Sequence, residues 1–536
     1  MRLLSVAEMK ALEQAGNSAG YSYAEMMHKA GTGIARRIHA RFHGNKERIV
    51  LGLVGKGNNG GDTLVALTTL QEMGWQTYAL LLSKRGGEDQ ILQGFLAAGG
   101  KLNNEGDLDF LILSSISSGL ILDGVYGTGF RLPMDQKERQ ILATIKDQLQ
   151  TYSVIAVDCP SGLDCQSGEV DPAALRASVT YCLEAVKSGM ITISALPYCG
   201  EIEVIDLGLA KYGQKLASDR DTVAGIEDIK QLIPIRMESA HKGTFGKVIV
   251  AGGSVNYPGA PILAGKGAYA VGAGLVQTAV PEPVFSAAAA SHLELTWLIL
   301  DDQDGVISEN AADTFAVHAT QANSIVLGPG LGREETTFRF IQEFLFPHAG
   351  DGRASTAGFI GVGNNKARKE PRSLPPMVID ADALVLMSKV KDWAKKMKDV
   401  CVLTPHPGEM SSLTGLSIEE IQSNRVEVVR RYAQEWQQTV VLKGALTVIA
   451  TKDGETVTIP VATSALAKAG TGDVLAGMIG GYLAQGLDTR SAAIAGAWMH
   501  AHAGLAAGKI LGANESVLAS DLIRAIPVVY EKLTRE

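Results

Sequence analysis

Residues 468–475 read Lys-Ala-Gly-Thr-Gly-Asp-Val-Leu, a glycine-rich turn that puts a carboxylate where a helix is expected to begin, over Val474 to Leu483. Glycines let the backbone N–H groups of Gly470, Thr471 and Gly472 come close to an anion, and a helix N-terminus adds the positive end of its dipole. A carboxylate beside such a cradle is electrostatically unfavourable unless it takes the proton from a hydroxyl that attacks the phosphate. The pattern therefore suits phosphoryl transfer to a hydroxyl, with Asp473 as base. In isolation the same residues read better as an ordinary glycine turn with a capping aspartate. The rest of the chain decides between the two.

A second glycine turn, Gly55-Lys56-Gly57-Asn58-Asn59-Gly60-Gly61-Asp62, follows a strand and precedes a helix, and it contains Gly-x-Gly-x-x-Gly. A dinucleotide site of the usual kind wants an acidic residue about 20 residues further on. Here that place holds Ser83-Lys84-Arg85, compatible at most with a 2′-phosphate, and Asp62 is expected in the first helical turn, where a pyrophosphate would lie. Hydride transfer is therefore disfavoured. Asp123 and Asp158 close two further strands, in Leu122-Asp123-Gly124 and Val157-Asp158-Cys159-Pro160-Ser161. Strand C-termini line one edge of a parallel sheet, so Asn58, Asn59, Asp123, Asp158 and Ser161 can converge there. Oxygen ligands without a cage of carboxylates suit an alkali cation better than zinc or calcium. Each of these residues taken singly reads as a turn or cap residue, and Lys187 reads better as a solvated lysine than as a residue that helps hold a substrate.

These residues need elements to hold them. Ser5-Val6-Ala7-Glu8 is a capping box that opens the chain with a helix. Short apolar runs at Arg48 to Val54, Gln76 to Leu82, Leu120 to Leu122, Ser153 to Val157 and Val179 to Leu183 alternate with helical stretches such as Thr63 to Met73 and Gln90 to Ala98. The alternation restarts with strands at Lys247 to Ala251, Leu275 to Val280, Ser324 to Leu327, Met377 to Ile379, Val400 to Leu403 and Thr439 to Leu442. Continuous apolar strands between helices imply α/β units with parallel sheets covered on both faces. A length of 536 residues is too great for one core at roughly 150 residues per domain. The expected division is 1–212, a linker at 213–224, and 225–536. Gly350 to Pro376 is polar and rich in Gly, Pro, Lys and Arg, and is expected to be a disordered surface insertion.

Composition excludes several classes. No apolar run reaches spanning length, and a net charge of −8 without a basic block argues against nucleic-acid and membrane partners. Five cysteines with no Cys-x-x-Cys read as reduced thiols in a cytoplasmic protein. The 60 glycines suit an α/β enzyme with many close backbone approaches to ligands.

Gly-Asn-Asn-Gly-Gly-Asp, Asp123-Gly-x-x-Gly-Thr-Gly and Asp158-x-Pro-Ser-Gly, in this order and spacing, resemble the NAD(P)H-hydrate epimerase family over residues 1–212. The resemblance implies a Rossmann-like three-layer fold that interconverts the C6 epimers of hydrated NADH or NADPH. It implies K+ bound by Asn59, Asp123 and Ser161, and Asp158 beside the reacting ring. Substrate contacts would come from Asn58, Asn59, Gly60, Gly61 and Asp62, and from Gly127, Thr128, Gly129, Phe130, Arg131, Leu132 and Pro133. Thr63 departs from the pattern, standing where the family usually has another glycine.

Five segments accompany the Gly-Thr-Gly-Asp turn: His241-Lys-Gly-Thr-Phe-Gly, Pro258-Gly-Ala260, Leu327-Gly-Pro-Gly330-Leu-Gly, Thr404-Pro-His406-Pro-Gly-Glu409 and Val441-Leu-Lys443-Gly-Ala445. A zinc pair at His406 and Glu409 is discounted, because the intervening Pro and Gly break the helix such a pair would need. Together the segments resemble the NAD(P)H-hydrate dehydratase family, a ribokinase-like three-layer fold, over residues 225–536. The whole chain is similar to the bifunctional bacterial-type NAD(P)H-hydrate repair enzymes. By that resemblance Ala260, Gly330, His406 and Asp473 contact the hydrated nucleotide. Lys443, Gly444, Ala445, Leu446 and Thr447, with Gly470, Thr471 and Gly472, bind the adenine nucleotide. ADP is the expected co-substrate, with Mg2+, and a homo-oligomer is expected. The competing readings are a vitamin-precursor kinase, which has no use for the first half, and a binding scaffold, which has no use for Asn59, Asp123, Asp158 and Ser161.

Overall fold

A computed structural model describes residues 1–45, 48–85, 89–103, 119–148, 152–213, 220–347, 373–397 and 400–534. Most of the expected insertion, up to residue 372, and residues 214–219 of the expected linker lie outside them. The chain divides into two compact units, Met1–Gly225 and Ile226–Glu536. No helix among the described residues is long and apolar enough to cross a membrane.

After the two-residue strand Leu3–Leu4 the first unit has two helices, α1 (Val6–Ser18) and α2 (Tyr23–Phe42), each started by a Ser/Glu capping box at Ser5/Glu8 and Ser22/Glu25. There follow β1 (Ile49–Val54), α3 (Asn58–Glu72), β2 (Gln76–Leu81), α4 (Gln90–Ala97), β3 (Lys101–Asn103), β4 (Leu120–Gly124), α5 (Gln136–Gln148), β5 (Ser153–Val157), β6 (Val179–Leu183) and β7 (Glu201–Ile205). The seven strands run β3-β2-β1-β4-β5-β6-β7, all parallel. The order reverses direction at β1, where the neighbours β2 and β4 lie on either side, and this is where a ligand crevice opens in such sheets. Asn58–Asp62 and the residues after β4 sit at that point. The short strand β3 and the edge strand β7 are absent from the apolar-run reading, because both are partly polar and their burial pattern is mixed.

In the second unit the main elements include β8 (Lys247–Ala251), α6 (Ala260–Ala270), β9 (Leu275–Pro281), β10 (Thr296–Leu300), α7 (Ala311–Ala319), β11 (Ser324–Leu327), α8 (Glu335–Leu345), β12 (Met377–Ile379), α9 (Asp382–Ser388), β13 (Cys401–Leu403), α10 (Pro407–Thr414), α11 (Arg425–Trp436), β14 (Thr439–Leu442), β15 (Val448–Ala450), β16 (Thr456–Thr458), α12 (Thr471–Ala484), α13 (Thr489–Leu511) and α14 (Ala519–Thr534). Its strands lie in the order β16-β15-β14-β13-β12-β11-β8-β9-β10, parallel from β14 to β10 and antiparallel at β14, β15 and β16.

Helix α12 is buried on every side from Val474 to Ala484. It packs against α6 so closely that a Cβ on Gly477 would stand 1.9 Å from the Ala264 carbonyl oxygen, and one on Gly267 would stand 2.6 Å from that of Val474. Only glycine permits this backbone approach. The helix starts at Thr471, three residues earlier than its apolar run suggests, because Gly470 at φ +89° turns the chain into it.

Candidate active sites

In the first unit, the ends of β4 and β5 and the start of α3 meet. Asp123 is fully buried; its Oδ1 accepts from Ser161 Oγ at 2.5 Å and its Oδ2 from the Ser161 backbone N–H at 2.8 Å. The Tyr126 N–H donates to Ser161 Oγ at 3.0 Å, and Asn59 Nδ2 donates to the Tyr126 carbonyl at 2.7 Å. Asn59, Asp123 and Ser161 are thus brought together, with Gly127 against the Asn59 side chain. Burial pushes the Asp123 carboxyl up and its neutral donors pull it down. Phe130 folds back, its N–H donating to the Gly127 carbonyl at 3.0 Å and its ring 4.6 Å from that of Tyr126. Arg131 reaches Asp164 at 3.3 Å and Gln166 at 2.9 Å. Asn58, Gly129, Arg131 and Pro133 are exposed, whereas Gly60 and Gly61 are buried in α3.

Asp158 leaves β5 at φ +65°, a conformation few non-glycine residues adopt, and its Oδ1 accepts from the Leu183 N–H at 2.9 Å and from Lys187 Nζ. Strain held at such a position is common where a side chain must be presented for chemistry. Lys187 is not the solvated lysine expected from its position: it is completely buried, also donates to the Leu183 carbonyl at 3.1 Å, and burial is outweighed by Asp158 so that its ammonium titrates above the usual range. A charge cannot be buried without a partner, and the partner lies 29 residues away in sequence. Asp62 lies in α3 one residue beyond the first turn rather than within it. It is 6% exposed, and burial first, then the charges of Asp158 and Glu13, raise its carboxyl well above the ordinary range, with Lys187 opposing. The Ser83-Lys84-Arg85 site for a 2′-phosphate is not open at Arg85, whose guanidinium is committed to Asp89 at 2.5 Å and to the carbonyls of Gly55 and Gly57.

In the second unit, Asp473 lies in the first turn of α12. No described donor is hydrogen-bonded to its carboxyl, which is pushed up to about 7 by burial and then by Asp380, with Lys443 opposing. Lys443 Nζ donates to Asp380 Oδ1 at 2.5 Å and lies 3.6 Å from Glu409 Oε2. It is also 3.6 Å from where a Cβ would stand on Gly472, so the two segments expected to hold the adenine nucleotide adjoin. Gly444 at φ +144° and Leu446 at φ +58° shape the loop, and Thr447 Oγ1 donates to the Gly444 carbonyl at 3.0 Å. Ala260 and Gly330 are also brought together: at Gly330, φ +66°, a Cβ would come within 2.9 Å of that of Ala260. His406 is the N-cap of α10, its Nδ1 accepting from the Gly408 and Glu409 N–H groups at 3.0 and 3.2 Å. Pro407 and Gly408 therefore begin a helix instead of breaking one, since Pro is favourable in a first turn. The ground on which a His406–Glu409 pair was discounted does not hold, although Glu409 itself faces Lys443.

Sequence reasoning passed over Asp380, Arg425 and His500, and gave Thr404 no role of its own within its motif. Asp380 follows β12 as Asp123 and Asp158 close their strands, so the same strand-end signal was present. Its Oδ1 also accepts from Thr404 Oγ1 at 2.7 Å. Arg425 holds the loop after β14 through the carbonyls of Leu442 and Lys443 at 2.9 and 3.3 Å, and burial lowers its guanidinium to about 10. His500, buried on α13, contacts the Thr471 carbonyl at 2.8 Å through Nε2, and burial lowers it to about 4. The ring is therefore neutral and its Nε2–H donates, which fixes the start of α12. The five cysteines are buried thiols, none of them in a disulfide.

Comparison with known proteins accords with both halves. A family model described as NAD(P)H-hydrate dehydratase matches residues 248–352 and 361–528, and one described as YjeF-related protein N-terminus matches residues 23–189. The bifunctional NAD(P)H-hydrate repair enzyme of Moorella thermoacetica is 32% identical over 551 residues, covering 100% of this chain and 98% of its own. That of Escherichia coli is 29% identical, covering 96% and 90%. Among solved structures, the ADP/ATP-dependent NAD(P)H-hydrate dehydratase of Bacillus subtilis, co-crystallised with ATP and Mg2+, is 28% identical at a TM-score of 0.46, covering 58% of this chain and 98% of its own. With one relative matched end to end at this identity and both halves matched by family models, the chain belongs to the bifunctional NAD(P)H-hydrate repair enzymes.

Proposed function

We propose that the second unit dehydrates the S epimer of hydrated NADH or NADPH at the expense of ADP, releasing AMP and phosphate, and that the first unit interconverts the R and S epimers to supply it. The observation that carries the dehydratase reading is Asp473: an unpartnered carboxyl near neutrality, beside a glycine turn that Lys443 approaches. Asp473 takes the proton from the C6 hydroxyl. The hydroxyl oxygen attacks the terminal phosphorus of ADP and AMP leaves. Phosphate, a far better leaving group than hydroxide, is then expelled from C6 as the N1 lone pair forms a C6=N1 bond. Loss of a proton from C5 to solvent returns that pair to N1 and leaves the C5=C6 double bond of the dihydropyridine. Gly470, Thr471 and Gly472 turn the helix start toward the transferring group, where oriented N–H groups stabilise developing charge. Ala260, Gly330 and His406 lie toward the hydrated ring, and Lys443 to Thr447 hold the adenine nucleotide. Asp380 and Glu409 are engaged by Lys443, so Mg2+ fits here as an ion held mainly by phosphates and water, and it would supply charge neutralisation to them. The decisive assay is incubation with mixed epimers, ADP, Mg2+ and K+. NADH absorbance should return with AMP and phosphate in equal amounts, whereas phosphorylation of a thiamine or pyridoxine precursor with the hydrate untouched would replace this reading with a kinase.

Titration of Asp473 sets a pH dependence. A base must be ionised to act, so dehydration should rise with pH and reach half its plateau at about 7. The sign for stability is opposite: a carboxyl raised in the fold favours the protonated folded state, so its contribution is present below about 4 and is lost as pH climbs to about 7. A dehydratase profile flat from pH 5 to 8 would remove Asp473 as the base.

For the first unit, Asp123 is a buried carboxylate met only by neutral donors, an arrangement that a nearby cation stabilises. Asn59, whose Nδ2 is used by Tyr126, leaves its Oδ1 available beside Asp123 and Ser161, an all-oxygen donor set that fits K+. Such an ion would supply positive charge beside the bound substrate. Asp123→Ala is expected to lower epimerase activity and abolish its K+ dependence, measured against Na+ and Cs+. Stoichiometric zinc or iron bound at these residues would contradict the assignment. The same reading makes the protein a cytoplasmic homo-oligomer, which size-exclusion chromatography with light scattering tests.

A further inference from the structure

One buried acid of the first unit, expected by resemblance only to contact substrate, has no chemical step assigned to it. Asp62 on α3 is 6% exposed, yet no described donor is hydrogen-bonded to its carboxyl. The titratable groups facing it are Asp158 after β5, Glu13 on α1 and Lys187 in the short strand Val186–Lys187. Asp62, Asp158 and the half-buried Glu13 therefore act on one another around a single buried ammonium, and three carboxylates cannot all ionise against one positive charge. Lys187 is hydrogen-bonded to Asp158, not to Asp62. The pair is thus unequal: Asp158 is the carboxyl partnered by an ammonium, with Oδ1 engaged and Oδ2 without a described donor, and Asp62 is the buried acid without a charged hydrogen-bond partner, the situation that drives a carboxyl toward its neutral form. Two neighbouring carboxyl groups in such unlike surroundings are the usual arrangement of a general acid and a general base.

We propose that Asp62 is a second catalytic residue of the epimerisation, protonating the hydroxyl that leaves C6 of the hydrated ring while Asp158 takes the proton from the water that adds to the opposite face. This rests on reading the site as an epimerase. In the substrate, C6 carries both the hydroxyl and the ring nitrogen N1. The C6–O bond breaks as Asp62 hands over its proton, the hydroxyl departs as water, and the N1 lone pair becomes the C6=N1 bond of an iminium. A water molecule then adds to the other face: its oxygen lone pair forms the new C6–O bond, the C=N pair returns to N1, and the excess proton passes to Asp158. One water leaves and one enters, nothing is oxidised or reduced, and the proton moved from Asp62 to Asp158 is restored by exchange with solvent. Lys187 positions Asp158, and Glu13, less enclosed than Asp62, adds negative charge that favours the protonated acid.

The test uses the full chain, purified epimers and oxygen-18 water, with epimers quantified by chromatography and mass spectrometry. The unsubstituted protein should place one oxygen-18 on C6 for each inversion, after subtraction of the uncatalysed background. Asp62→Asn should lower kcat for epimerisation by about 10²–10⁴-fold at unchanged KM, while the same chains consume the S epimer with ADP at the parental rate. Glu13→Gln should leave kcat within a few-fold of the parent. Inversion with the original oxygen retained would overturn the proposal by pointing to ring opening, and this measurement does not depend on any variant folding. A parental kcat in Asp62→Asn, a loss confined to KM, or a kcat collapse in Glu13→Gln alone would overturn it equally. An unsubstituted protein that does not epimerise at all would instead sink the reading of the site.

Discussion

Asp473→Asn is expected to cut ADP-dependent dehydration by about 10²–10⁴-fold, the usual cost of losing a general base, while R-to-S epimerisation continues at the parental rate. Asp158→Asn should do the reverse. The two carboxyls sit in different units, one at the head of α12 and the other after β5, and each is surrounded by its own charged partners: Lys443, Asp380 and Glu409 for the first, Lys187 and Asp62 for the second. An N-capping role alone would predict a loss of only about 1 kcal/mol of stability with little change in rate. Asp473 makes no such cap, because the N-cap is Gly470, which has no side chain to offer. Separate quantification of both epimers and of NADH for each variant decides the matter. Dehydration at the parental rate in Asp473→Asn, or loss of both reactions in either folded variant, would show that the two-site assignment is wrong.

Lys187→Met should destabilise the first unit by about 3–5 kcal/mol, the range for removing one partner of a buried ion pair. Methionine fills a similar volume, so the loss comes from leaving the Asp158 carboxylate unpaired, not from a cavity. Two measurements separate these causes. Thermal unfolding of Lys187→Met should be strongly lowered, and the double variant Lys187→Met/Asp158→Asn should recover part of the loss, because the uncompensated charge is gone. Full additivity of the two substitutions would mean that the contact contributes nothing as a pair. Dehydration by the second unit, assayed below the unfolding temperature, should not change.

Much of the scaffold was legible because its signals are local. Runs such as Ile49–Val54 and Ser324–Leu327 are continuous and apolar, as strands buried on both faces must be, and they appear within a residue of their expected ends. Ser5 and Glu8 announce α1 through a capping box that needs only four residues. Elements whose stability comes from a neighbour were not legible: the short edge strand β3 carries Lys101, and Pro407-Gly408 begins a helix because His406 and Glu409 cap it. The site shows the same division. Asn58, Asn59, Asp123, Asp158 and Ser161 were grouped by the rule that parallel strands end on one edge, and the hydrogen bonds from Ser161 to Asp123 and from Tyr126 to Ser161 follow from that geometry.

By itself the sequence determined two α/β halves, the glycine turns that begin α3 and α12, and the acidic residues standing at strand ends and helix starts, because each is written in fewer than about ten consecutive residues or in a two- or 3.6-residue period. Only the tertiary structure decided which of those charges are buried, and with which partner. Lys187 and Lys443 look alike in sequence to lysines that stay in water. Their pairing with Asp158 and Asp380 spans 29 and 63 residues. The same holds for Asp62 and Asp473: their carboxyls are raised by exclusion from water and by neighbouring negative charge. Burial and long-range Coulomb interaction depend on how the sheets and helices close around a group, and no local pattern of residues encodes that closure.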